Sequence, residues 1–136
     1  MRNNILIFCL LLFTACSKKI SETDLVHING YWEIEKVILP NGETKDYKIN
    51  ENLDYFFIEK NSGFRKKVLP QLDGTYLTND VAETVNVSFE NGDCLLNYKT
   101  DFASWQEQVV DLTSEKLVLK SLSNNLVYHY KKIKKE

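Results

Sequence analysis

Cys16 is the side chain whose setting best suits a chemical reaction. A thiolate is a strong nucleophile and is open to alkylation or acylation. Residues Leu11 to Lys19 read Leu-Leu-Phe-Thr-Ala-Cys-Ser-Lys-Lys. Arg2 precedes the apolar run Ile5 to Phe13, and the small residues Thr14 and Ala15 stand directly before the cysteine. A positive start, a short apolar run and small residues describe a secretory signal with its processing point. The run is shorter than the ~20 residues that cross a bilayer core of ~30 Å. Cys9 lies inside the signal. Cys94 is then alone in the processed chain, so no internal disulfide is expected. Its alternation with Leu96 and Tyr98 places it on an apolar face, as a buried, inert thiol.

The remaining reactive side chains form no catalytic constellation. His27 and His129 are the two imidazoles of the chain. Neither has histidines or acids at metal-ligand spacing, so no metal site is expected. His129 stands between Tyr128 and Tyr130 on a β-type run and points away from both. The chain has no glycine-rich phosphate loop, nucleophile elbow or Cys-x-x-Cys. Carboxylates are numerous and a pair could meet in a cleft by folding, but the sequence singles out none for acid–base work. The sequence therefore predicts no catalytic residue, no cofactor and a non-enzymatic role.

The segment Phe13-Thr14-Ala15-Cys16 resembles the lipobox of bacterial lipoproteins, with Phe13 where leucine is more usual. That resemblance implies a diacylglycerol on Cys16, cleavage just before it and acylation of the new amine. Each buried acyl CH₂ adds ~0.8 kcal/mol of membrane affinity, so several chains make attachment effectively permanent. Ser17 stands where inner-membrane lipoproteins of enterobacteria carry Asp, which implies an outer-membrane address. Residues 1–15 are thus read as the signal and residues 16–28 as the acylated cysteine with a flexible polar tether. Residues 29–136 are read as one domain. The face of the membrane that this domain occupies stays open.

About 120 processed residues suffice for one compact domain. Lys+Arg 17 against Asp+Glu 19 leaves no basic excess, which disfavours nucleic acid as a partner. The clusters Arg65-Lys66-Lys67 and Lys131 to Lys135 are read as solvated strand-end and tail charge.

From Tyr31 onward the chain is a succession of short β-type runs. Pro40-Asn41-Gly42, Asn61-Ser62-Gly63, Asp73-Gly74 and Asn91-Gly92-Asp93 punctuate them as turns. Thr84 to Glu90 alternates cleanly, with Val85, Val87 and Phe89 on one face. No segment after residue 30 has sustained helical periodicity. Short strands with near-adjacent turns predict an all-β, antiparallel up-and-down meander, and closure of about eight strands into a barrel removes exposed edges.

Gly30-Tyr31-Trp32 opens the first strand. It resembles the Gly-x-Trp start of lipocalins, and more closely that of small lipocalin-like lipoproteins of Bacteroidetes. The resemblance implies that Gly30 turns the chain tightly into the barrel and that Trp32 plugs its closed end. In lipocalins an arginine of the last strand packs across that tryptophan. Here only Lys131 and Lys132 are present, so either a lysine takes the place or the lock is absent. The family implies a binding role, with a small hydrophobic ligand or an envelope protein as partner. The alternative is a structural or assembly lipoprotein docked on a larger envelope complex. Most aromatic residues are expected to fill the core. Phe102 and Trp105 flank a loop at the expected barrel mouth and are the candidates for ligand or partner contact.

Overall fold

A computed structural model describes residues 19–48, 50–78 and 81–134. Cys16 and the signal lie outside the described residues. A 3-10 helix, Glu22–Ile28, is followed by ten strands. These are β1 (Gly30–Ile38), β2 (Thr44–Asp46), β3 (Leu53–Glu59), β4 (Ser62–Pro70), β5 (Tyr76–Thr78), β6 (Glu83–Glu90), β7 (Asp93–Lys99), β8 (Ser104–Leu112), β9 (Lys116–Ser121) and β10 (Val127–Lys132). Eight of them run antiparallel in the order β1-β3-β4-β6-β7-β8-β9-β10, and β10 pairs back onto β1. The ribbon is thereby a closed eight-stranded barrel. β2 pairs with β1 and β5 with β4 as short additions outside the ring.

The turns explain the regular meander. Lys60 and Asn61 both adopt positive φ between β3 and β4, as do Asn91 and Gly92 between β6 and β7. Two consecutive left-handed residues match the right-handed twist of a tight hairpin, and Asn and Gly tolerate that conformation best. The β3–β4, β6–β7 and β8–β9 turns gather at one end of the barrel. Residues 39–48 and 71–78, which carry β2 and β5, and the short β7–β8 and β9–β10 connections gather at the other.

The 3-10 helix seals the first of these ends. Ser21 and Asp24 fix its start, with the Asp24 carboxylate accepting from the Ser21 N–H at 2.9 Å and from its hydroxyl at 3.0 Å. Leu25 and Ile28, three residues apart, share one face of a three-residue turn and are both buried. Ile20 is buried beside them in the same core cluster. This corrects the tether expected for residues 16–28: from Ile20 onward, apolar side chains dock the segment onto the barrel. Above the helix, Trp32, Phe56, Ile58, Val85, Leu96, Leu117 and Leu119 fill the closed half. Cys94 lies in that core as a free thiol, and burial pushes its pKa up to about 11.

Candidate functional site

Alternation along each strand decides which side chains face the interior. On β4, Gly63 lies opposite Ile58 and Arg65 opposite Phe56, so Arg65 and then Lys67 climb the inner wall. Asp54 on β3, Glu83 on β6, Tyr98 on β7 and Trp105 with Glu107 on β8 do the same. Ser121 on β9 and Tyr128 and Tyr130 on β10 complete the ring. These residues form a polar layer above the apolar half, and part of that layer lines a cup at the open end. The cup encloses about 290 Å³ and is bounded by Arg65, Lys67, Trp105, Glu107, Ser121, Ser123, Asn124, Tyr128 and Tyr130.

Arg65 organises its floor. The guanidinium pairs with Glu83 through Nε and with Glu107 through Nη1 at 3.2 Å. It lies 4.3 Å from the Tyr98 ring centroid and donates to the Tyr98 hydroxyl at 3.5 Å. A planar fork with five donors suits this setting, where a lysine would satisfy one partner at a time. Burial works to lower the Arg65 pKa, but Tyr98, Glu83 and Glu107 outweigh it and the net direction is upward. Burial raises the Glu107 carboxyl above its usual range, with Arg65 and Tyr98 opposing. Burial likewise lifts the Tyr98 and Tyr130 phenols well above theirs. A second pair, Asp54 with Lys67, stands at 2.6 Å. Asp54 is almost fully buried, and its Oδ1 has that ion-pair partner but no donor aligned for a hydrogen bond. Three carboxylates thus face two cations, so the cup has no surplus positive charge to offer an anion.

The residues singled out from the sequence are separated by the fold. Gly30 and Trp32 belong to the closed end. Trp32 is fully buried, and its Nε1 donates to the Ile28 carbonyl at 2.8 Å. Lys132 takes the place across the tryptophan: its Nζ lies 4.9 Å from the ring centroid and donates to the carbonyls of His27 at 2.7 Å and Asn29 at 2.9 Å. Burial lowers its pKa. Gly30 has φ +128°, and a Cβ there would meet Lys132 Cε at 3.4 Å, so glycine suits both the backbone and the lysine above it. Phe102 and Trp105 are not brought together. Trp105 stacks on Tyr98 at 5.3 Å between centroids and forms one wall of the cup. Phe102 is 98% exposed and lines a separate rim groove with Val81, Ala82 and Lys99. His129 lies on β10 away from the cup, and burial lowers its pKa together with Lys36 and Lys116.

Sequence reasoning placed Arg65 and Lys67 on a solvated edge. Their cluster is in fact divided by the strand, with Lys66 outside and its two neighbours inside. The signal that could have found them is the strict two-residue step from Gly63, whose side-chain site is closed: a Cβ there would overlap the Phe57 carbonyl. Among the described residues no group of three His, Cys, Asp or Glu could hold a metal ion, and no helix is long and apolar enough to cross a membrane.

A family model described as a lipocalin-like domain matches residues 28–119, from the end of the 3-10 helix through most of β9. No curated protein and no solved structure matches the chain. The family is a generally non-catalytic binding fold, and the closed barrel with Trp32 and Lys132 at its sealed end fits it. On the residues matched and on the architecture, the chain belongs to the lipocalin-like domain family.

Proposed function

We propose that this protein is a lipid-anchored binding protein of the bacterial cell envelope, held by acyl chains on Cys16, that receives a small molecule in the open-end cup. The observation that carries the ligand half of this reading is the division of the interior. Side chains fill the apolar half, and the room that remains lies among Arg65, Lys67, Glu107, Ser121 and the tyrosines. The guest expected from the sequence is hydrophobic; the lining favours one whose buried end is polar and neutral or cationic. Its apolar part would rest on Trp105 and Tyr128. Arg65 and Glu107 serve as walls: each charge already has its partner, so neither is poised as a free acid or base.

Native mass spectrometry of protein released gently from its membranes tests this. The expected result is a small polar adduct that disappears in Ser123→Phe, which fills the cup from an exposed loop position. An adduct that survives Ser123→Phe puts the ligand elsewhere. For the anchor, Cys16→Ser should abolish acyl labelling and membrane retention; unchanged retention would refute it.

One observation favours a second role, docking on a larger envelope complex. Tyr31 stacks on Tyr76 at 4.2 Å and meets Tyr55 in a tilted contact at 4.6 Å, and Phe64 continues the file to Phe57 on the outer wall. Phe57, at one end of this file, is 41% exposed. A photo-crosslinker at Phe57 that captures one defined envelope protein in cells would support docking; capture of none would leave the cup reading alone.

A further inference from the structure

We infer that the bilayer lies against the closed end of the barrel, so that the cup opens away from the membrane and is filled from the aqueous side. This rests on the acylation of Cys16 proposed above, and adds an orientation that acylation alone does not supply. The argument is one of reach. Ile20 is 6% exposed and belongs to the core cluster. Lys19, just before it, lies against the β6–β7 turn: its Nζ would stand 2.6 Å from a Cβ on Gly92. The chain therefore leaves the barrel at the sealed end.

Only three residue steps separate Cys16 from Lys19. At no more than ~3.3–3.6 Å per residue, they span about 10 Å. The barrel is longer than that. Nine-residue strands such as β4 and β8, at ~3.3 Å per residue and a tilt of ~35–45°, give a height of about 20 Å. With the mouth on the bilayer, Lys19 would sit about 20 Å above the headgroups, twice what the connection reaches. With the closed end down, the connection is ample. The surface presented there includes Val26, an apolar side chain 67% exposed on the outer face of the 3-10 helix. Lys60 stands exposed on the neighbouring β3–β4 turn, with Glu22 and Glu59 close by. A polar cup turned toward water fits a guest delivered from solution better than one drawn from lipid.

The test uses the full chain, processed and acylated in a bacterial host and reconstituted into vesicles of phosphatidylethanolamine and phosphatidylglycerol. Nitroxide labels are placed at Val26→Cys or Phe102→Cys; Cys94 is buried and stays unlabelled. In power-saturation EPR the label at 26 should be several-fold less accessible to a water-soluble nickel chelate, and more accessible to oxygen, than the label at 102. A Gly/Ser insert of about 20 residues between Ser17 and Lys18, with a root-mean-square span of about 25 Å, should erase the contrast. An acylated protein whose label at 102 is the shielded one, or whose two labels match, overturns the orientation alone. A contrast that survives the insert overturns the tether as its cause. A purified chain without acyl mass overturns the anchor and this inference with it.

Discussion

At the closed end, Trp32 has one polar atom, and the Ile28 carbonyl satisfies it; at the open end, Arg65 alone meets two carboxylates and a phenol. The same eight strands build both layers, two to five residues apart. Near the helix the inward positions are Trp32, Ile58, Leu112 and Leu117, and the layer is dry and solid. Near the mouth they are Asp54, Arg65, Glu83, Glu107 and Ser121, and the layer is ionic and leaves space. Apolar packing stabilises a barrel without regard to direction, whereas a buried ion pair contributes little net stability and fixes geometry. The contrast teaches that one short ribbon can put dry, solid packing at one end and an ionic layer with room in it at the other.

Truncations at the two tryptophans probe that contrast most strongly. Trp32→Ala should cost about 3–5 kcal/mol in urea denaturation, because it removes the largest side chain of the filled half. Trp105→Ala, on a partly buried wall that packs against the core cluster, should cost less, about 1–3 kcal/mol, while weakening cup binding. Equal losses would erase the distinction between the ends. Arg65→Met follows in size, at about 3–5 kcal/mol, since it strands Glu83 and Glu107 without their cation. Adding Glu107→Gln should recover part of that loss; if the double variant is as unstable as the single one, the charge cluster is not the cause.

Smaller effects sharpen the picture. Lys132→Met should cost about 1–3 kcal/mol, from two lost hydrogen bonds to carbonyls and a cation–π contact, read as a lower urea midpoint. The pH response isolates Glu107. Its folded pKa lies above the unfolded value near 4.5, so the folded state holds that proton more tightly. Stability from this group is present below pH 4.5 and falls as pH rises through the folded pKa. The urea midpoint of the Glu107→Gln variant, set against the parent between pH 4.5 and 7, should lack that decline. Parallel curves would show that Glu107 titrates normally.

The fold was legible wherever local chemistry is decisive. Asn91-Gly92 dictated a tight hairpin, and Thr84 to Glu90 displayed its inward face by simple alternation. The 3-10 helix was harder to read, because Ser21, Asp24, Leu25 and Ile28 carry its whole signal within eight polar-looking residues. The cup was hidden for a different reason. On β4 the outward positions hold Phe64 and Val68 and the inward ones Arg65 and Lys67, so hydropathy points the wrong way. Only the pairing of Arg65 with Phe56, and of Glu107 with Ser121 across β8 and β9, reveals that these charges converge. Such convergence depends on barrel closure, which no local window contains.

The chain has two tryptophans, one at each end of the barrel, and this permits a direct test of where a guest binds. With 5-fluorotryptophan incorporated, ¹⁹F NMR should show one resonance from Trp32 and one from Trp105. Titration with the low-molecular-weight fraction of an envelope extract should shift the Trp105 signal to saturation and leave Trp32 unmoved, and Ser123→Phe should abolish the shift. Movement of the Trp32 resonance, or no movement of either, would contradict a binding cup at the open end.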